Sequence, residues 1–119
     1  DHEQILRAFT RFTWQLHEQH ILFLDHSPGN TLIQVKDGNI NFFLVDLNRM
    51  VFKQLNTVER LKNFSRLTPK KEMVAIMADE YAQLIKRPQS EVFERMWFYT
   101  HSFQKKFYRK KQFKKKFKL

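Results

Sequence analysis

Apolar residues fall at Ile5, Phe9, Phe12 and Leu16, spacings that put all four on one stripe of a helix. The pattern predicts a helix ending near Gln19. Ile21-Leu22-Phe23-Leu24 is a short unbroken apolar run, strand-like in length, and Asp25-His26-Ser27-Pro28-Gly29-Asn30 after it is so dense in turn formers that it reads as loop. Two further runs, Thr31-Leu32-Ile33-Gln34-Val35 and Ile40-Asn41-Phe42-Phe43-Leu44-Val45, flank Lys36-Asp37-Gly38-Asn39. Asp-Gly favours the tight turn of a two-residue hairpin, and this hairpin is the one strong β signal. Beyond the loop Asp46-Leu47-Asn48-Arg49 the pattern is helical. Val51, Leu55, Val58 and Leu61 form a stripe ending near Phe64. Thr68-Pro69 reads as an N-cap with proline at the first helical position, opening a helix to about Ile85. Pro88 breaks it, and Ser90 can cap a last helix whose first turns hold Glu91 and Glu94. The expected fold is α+β and mainly α, with one hairpin and about four helices.

Composition narrows the class. The chain has 119 residues, 42% hydrophobic and 15% aromatic, which is enough for one core and too apolar for a disordered basic protein. Two glycines and three prolines exclude collagen-like and low-complexity chains. The lack of cysteine removes disulfides, thiolate metal sites and a cysteine nucleophile. No apolar run approaches the roughly 18 residues of a spanning helix, and Asp1-His2-Glu3-Gln4 does not read as a signal peptide.

A net charge of +10 points first to nucleic acid. Its distribution changes that picture. Lys105, Lys106, Arg109, Lys110, Lys111, Lys114, Lys115, Lys116 and Lys118 lie beyond position 103 with no acid among them, so residues 1–103 hold 13 bases against 12 acids. The expected organisation is a nearly neutral body over residues 1–103 and a basic tail over 104–119, which argues against a nucleic-acid face spread over the domain.

The chemistry is expected between residues 25 and 46. Asp25 follows the apolar run, Asn30 comes five residues later, and Asp46 ends the second hairpin strand, so the hairpin returns Asp46 toward the loop. An Asp-x-x-x-x-Asn loop, a short hairpin and an Asp at its exit resembles the active-site layout of the protein-kinase-like fold. That resemblance implies Asp25 as the base that accepts the substrate hydroxyl proton, and Asn30 with Asp46 as the pair that holds Mg²⁺ against the phosphates of ATP. Oxygen donors suit Mg²⁺, which needs few protein ligands. Phe23 and Leu24 stand where protein kinases carry His and Arg, Ser27 stands in place of a Lys, and Asp46-Leu47-Asn48 lacks the usual Phe and Gly. Pro28-Gly29-Asn30 resembles the loops of aminoglycoside- and choline-type phosphotransferases, so a small or lipid-linked hydroxyl compound is the expected acceptor.

A closer resemblance, carried by Leu24-Asp25-His26-Ser27-Pro28-Gly29-Asn30 and Phe43-Leu44-Val45-Asp46-Leu47-Asn48-Arg49-Met50, is to the lipopolysaccharide-core kinase family. It implies an ATP-dependent phosphotransferase acting on Kdo or heptose of the inner core, at the cytoplasmic face of the bacterial inner membrane. With Gly29 and Gly38 as its two glycines, the sequence holds no Gly-rich phosphate loop. The resemblance therefore implies a C-terminal lobe that works with an N-terminal lobe of the same chain and is inactive alone. Two rivals stand beside it: a soluble small-molecule kinase lobe, and a non-catalytic basic module in which both aspartates are structural.

The remaining candidates are weaker. Arg49 could meet a substrate anion or phosphate, or form a structural ion pair. His17 and His20 share a helical face, but with no glutamate and third ligand in register they are expected to face solvent. Ser27 has no base beyond the adjacent His26, which is not triad geometry. Trp14, Trp97, Phe98 and Tyr99 read as core or groove aromatics. In the tail, Phe103, Phe107, Phe113 and Phe117 fall within a 120° arc of a helix flanked and interrupted by lysines. An anionic membrane surface is the expected partner, ahead of a solvated tail and of nucleic acid.

Overall fold

The structure is a computed structural model and describes residues 2–45 and 49–117. Asp46 and Lys118 lie outside the described residues. Helix α1 (His2–Glu18) leads into strand β1 (Ile21–Phe23), a 3-10 turn (Pro28–Asn30), strands β2 (Thr31–Lys36), β3 (Asn39–Leu44) and β4 (Met50–Phe52), and helices α2 (Thr57–Lys62), α3 (Lys71–Ile85) and α4 (Gln89–Phe117). The fold is α+β and mainly α, as its patterning predicts.

Helix α3 is the centre. It packs against α1 on one side and α4 on the other, and Val74, Met77, Ala78, Tyr81 and Ala82 join Phe9, Leu61, Phe64, Val92 and Met96 in one core. The α1–α3 seam is framed by ion pairs from Arg7 to Asp79 (2.9 Å) and Glu80 (3.1 Å) and from Arg11 to Glu80 (3.2 Å). Lys86, left-handed at φ 58°, ends α3 with its N–H on the carbonyl of Ala82, and α4 begins directly after Pro88.

Hairpin β2–β3 closes through Asp37 and Gly38, both at positive φ (53° and 79°), with Lys36 opposite Asn39. These angles suit the two-residue turn whose twist matches that of the strands. Phe42 packs onto Phe9 and Phe12 of α1, while Leu32, Ile33, Val35 and Phe43 stay exposed.

The structure corrects several expectations. Val51 belongs to strand β4, not to a helix: β4 pairs antiparallel with β1, Leu22 opposite Val51. The helix cannot start before Asn56, whose side chain accepts from the Glu59 N–H while Glu59 returns a bond to the Asn56 N–H, a full capping box. Helix α3 starts at Lys71, two residues past Pro69; the Thr68 hydroxyl accepts from the Lys70 N–H and so caps just ahead of the helix. Helix α4 begins at Gln89, with Val92 N–H on the Pro88 carbonyl, so Ser90 lies inside the first turn. The same helix passes position 104 unbroken. The expected stripe on α1 is displaced: Phe9, Thr10, Thr13 and His17 are buried there, and Ile5, Phe12 and Leu16 flank them half-buried.

Candidate functional site

The polar line on α1 explains where the loop of residues 25–30 sits. Buried hydroxyls need acceptors, and Thr10 and Thr13 donate to the carbonyls of Leu6 (2.8 Å) and Phe9 (3.0 Å). With its proton committed to Phe9, the Thr13 oxygen accepts from His26 Nε2 at 2.8 Å. His26 is thereby plugged into the core, its ring stacked on Phe9 at 4.8 Å and edge-on to Phe23 and Phe64. Burial lowers its pKa to about 3, so the ring is neutral, and its buried Nδ1 has no partner among the described residues. Asp25, one residue earlier, is held at the surface by this plug.

His17 is also buried, against the expectation that it faces solvent. Asn63 donates Nδ2 to the carbonyl of Phe23 at 2.9 Å, which turns Oδ1 toward His17 Nε2 at 2.9 Å. Nε2 therefore carries the proton, and Nδ1 accepts from the Tyr81 hydroxyl at 2.8 Å. Burial pushes the His17 pKa down to about 4 and the Tyr81 pKa up to about 12. His17 is a structural tie between α1, α2 and α3. Among the described residues no cluster of three His, Cys, Asp or Glu side chains could hold a metal ion.

The loop itself is braced at both ends by the chain that follows the hairpin. Leu24 N–H donates to the Arg49 carbonyl at 2.8 Å, and Val45 N–H donates to the Asn30 carbonyl at 3.1 Å. The residues flanking 46–48 are thus bonded to either end of the loop. Inside it, Asn30 N–H donates to the Ser27 carbonyl (3.1 Å), and Asn30 Nδ2 donates to the Asp25 carbonyl (2.9 Å) and to the Ser27 hydroxyl (3.3 Å). Pro28 starts the 3-10 turn that brings Asn30 back over Asp25.

With Nδ2 committed to the loop, Oδ1 is the open end of the Asn30 amide, and it accepts from no described residue. An amide oxygen that the loop does not use fits Mg²⁺, which takes oxygen ligands and keeps several waters. The Asp25 carboxylate meets two guanidinium groups: Arg49 Nε at 3.0 Å on Oδ2 and Arg66 at 3.8 Å on Oδ1. The structure therefore brings Asp25, Asn30 and Arg49 to one edge of the molecule. Arg66 was not legible as a site residue, because it lies in a patternless turn after α2 and no motif marks it. The alternation of Asp25 out and His26 in was equally hidden, since its partner Thr13 is on another element.

The fold and loop define a mainly helical α+β unit built around an Asp-x-x-x-x-Asn turn. More particularly, the model of the lipopolysaccharide kinase (Kdo/WaaP) family matches residues 1–88. That is well over half of the chain, and the chain belongs to this family of kinases. The match includes the whole loop, the hairpin and α3, and ends just before α4. No curated protein and no solved structure matches the chain.

Proposed function

We propose that the chain is the C-terminal lobe of a kinase that transfers the γ-phosphate of ATP to a hydroxyl of a lipopolysaccharide inner-core sugar, Kdo or heptose, at the cytoplasmic face of the bacterial inner membrane. The observation that carries the reading is the bond from Asn30 Nδ2 to the Asp25 carbonyl. It folds the Asn30 amide back onto the backbone of Asp25, which supports a fixed loop geometry, and phosphoryl transfer is chiefly a matter of positioning and of charge neutralisation.

In this reading Asp25 accepts the proton of the acceptor hydroxyl as its oxygen bonds to the γ-phosphorus, and the bond to the ADP oxygen breaks. Asn30 Oδ1 and Asp46 would hold Mg²⁺, which when bound would neutralise charge on the phosphates. Arg49 lies beside Asp25 and is placed to meet either the carboxylate, as here, or an incoming phosphate. The N-terminal lobe supplies the remaining nucleotide contacts. On the near side of the loop an apolar cleft of about 240 Å³, with Ile5, Phe9, Pro28 and Ile33 in its walls, is surface available to a nucleotide base. The basic end of α4 addresses the enzyme to an anionic membrane, where a lipid-linked acceptor resides.

The test is transfer from γ-labelled ATP to a Kdo-containing lipid acceptor by the intact kinase, with Asp25→Asn beside it. Label should appear with the native residue and vanish with the variant; undiminished transfer by Asp25→Asn rejects the assignment. The 119 residues alone should give none. Labelling of free aminoglycoside or choline in place of the lipid acceptor points to the small-molecule rival.

A further inference from the structure

Beside Arg66, β1, α2 and the middle of α4 enclose an open groove of about 710 Å³. Its walls carry Lys62, Arg66 and Lys106 with the aromatic rings of Phe98 and Phe103. We propose that this groove is a subsite for a sugar bearing an anionic group, carboxylate or phosphate, and that Lys62, Arg66 and Lys106 recognise that group.

Charge is the first argument. The one acid in the walls, Glu59, is already bound to Lys53 and to the Asn56 N–H. Lys62 and Lys106 are exposed and have no acidic partner among the described residues. The groove therefore presents two lysines with no acidic partner beside Arg66, which is paired with Asp25 at 3.8 Å, and cations gathered around a concavity concentrate anions. Arg66 is set in place rather than loose: its guanidinium lies 5.0 Å from the centroid of the Phe103 ring and 3.8 Å from Asp25. Stacking of this kind holds the guanidinium by its face, and its N–H edge, in only loose contact with Asp25 at 3.8 Å, can grip a second carboxylate or a phosphate.

The second argument is the mixture of surfaces. Phe98 is 64% exposed, although it belongs to the half of α4 that packs on the core, and its ring stands edge-on to Tyr99. An exposed ring beside the hydroxyls of Ser65 and Ser102 offers an apolar face and short hydrogen-bonding groups, the two things a sugar ring needs. A groove of this volume is in the range of small-molecule sites, roughly 300–1,000 Å³. Arg66 then serves as the link. Its guanidinium lines the groove and also lies 3.8 Å from the Asp25 carboxylate, so a sugar acid bound there is held next to the base.

The role assigned to the subsite rests on the kinase reading, but its existence does not, and the two are tested apart. Glucuronate, glucose 6-phosphate, glucose and inorganic phosphate are titrated into the 119-residue chain and followed by amide and aromatic NMR shifts. The two anionic sugars should shift groove resonances with millimolar dissociation constants, glucose at least tenfold more weakly. Lys62→Gln with Lys106→Gln should weaken both anionic sugars at least tenfold, and Phe98→Ala should weaken them while leaving inorganic phosphate unchanged. Equal shifts from glucose, or no effect of the lysine variant, overturns the proposal. If inorganic phosphate binds as tightly as glucose 6-phosphate and Phe98→Ala changes neither, the groove is an anion patch and the sugar subsite is rejected. The same rejection follows if vesicles containing anionic lipid shift these residues and the sugars do not. In the intact kinase the lysine variant should raise the acceptor KM about tenfold with kcat and the ATP KM unmoved. Sugar binding in the groove together with transfer indifferent to Asp25→Asn sinks the kinase reading alone. Transfer that needs Asp25 but ignores the groove variants sinks the subsite alone.

Discussion

Arg49 Nε reaches Asp25 Oδ2 at 3.0 Å, while the carbonyl of the same Arg49 accepts the N–H of Leu24, the residue before Asp25. One residue of the segment after the hairpin thus fixes both the backbone and the side chain at the start of the loop. The backbone bond belongs to the β1–β4 pairing and is structural. The ion pair is another matter, because the two side chains are 52% and 29% exposed and water screens them.

That difference predicts a separation of stability from activity at Asp25. An exposed pair of this kind contributes about 0.2–1 kcal/mol, so Asp25→Asn should move the denaturant midpoint of the chain very little. Removal of a positioned base lowers rate by about 10²–10⁴-fold, and the intact kinase should lose that much transfer. Chemical denaturation and a transfer assay on the same variant check both halves. A collapse in stability would mean that Asp25 is a structural residue of the loop.

At His26 the prediction turns on what is left behind. The Thr13 hydroxyl keeps its bond to the Phe9 carbonyl when the imidazole is removed, so no buried donor is orphaned, and the unpartnered Nδ1 disappears with the ring. His26→Leu, close in volume, should cost less than about 1.5 kcal/mol. His26→Ala leaves a cavity beneath the loop and should cost about 2–4 kcal/mol. Equal losses in urea unfolding would show that the hydrogen bond, not the packing, holds the loop.

The two buried histidines also predict a pH dependence. Both have native pKa values below that of free histidine, about 4 for His17 and about 3 for His26, because burial disfavours the charged ring. The unfolded chain binds protons near pH 6.5 and the native chain does not, so stability is fully present above about 6.5 and is lost as pH falls toward the native values. The slope is about 1.4 kcal/mol per pH unit for each histidine. Between pH 6.5 and 5, above the range in which most carboxylates titrate, the histidines should dominate. Urea midpoints at pH 7, 6 and 5 check this, and His26→Leu should remove about half of the slope.

Gly38 is the position where the hairpin depends on the lack of a side chain. At φ 79° it lies in the left-handed region, and a Cβ there would meet no neighbour, so the effect of substitution is purely conformational. Gly38→Ala should cost about 1–2 kcal/mol. Asn tolerates this region better, and Gly38→Asn should recover most of the loss. Thermal melts of both variants test the order.

Much of this fold is written locally, and what is not local was not legible. The Asp37-Gly38 turn, the helical period of α1 and the break at Pro88 each show in a few consecutive residues, although the buried line of α1 is displaced from its apolar stripe. Strand β4 does not: Val51, Leu55, Val58 and Leu61 mimic helical spacing, and only the pairing of Leu22 with Val51 and the capping box at Asn56 divide them. The burial of His17 depends on Asn63 and Tyr81, 46 and 64 residues away, and no pattern along α1 announces it. The meeting of Asp25 and Asn30 in one loop was legible because it is written in six consecutive turn-forming residues. Arg66 was not, because its meaning comes entirely from what it touches, Asp25 and Phe103.

The C-terminal part of α4 carries the last prediction. The helix runs from Gln89 to Phe117, and beyond position 104 it leaves the core, with Phe107, Tyr108 and Phe113 largely exposed and the rings of Phe103 and Phe107 stacked at 6.3 Å. No described helix is long and apolar enough to cross a membrane. A preformed helix spares the entropy of ordering on binding, and each basic residue near an anionic surface contributes about 1 kcal/mol. Lys106, Lys110 and Lys114 interrupt the aromatic arc; Lys106 lines the groove, and the stems of Lys110 and Lys114 must lie along the membrane surface with the ammonium groups at headgroup level. Attraction of this origin weakens with salt, since the Debye length falls from about 10 Å at 0.1 M to about 3 Å at 1 M. The chain should float with vesicles containing anionic lipid, much less with zwitterionic ones, and be released by high salt, whereas a version ending at Gln104 should remain in solution. Retention of flotation by the shortened chain would move the membrane contact away from this helix, and flotation indifferent to lipid charge would make the phenylalanines, not the lysines, its cause.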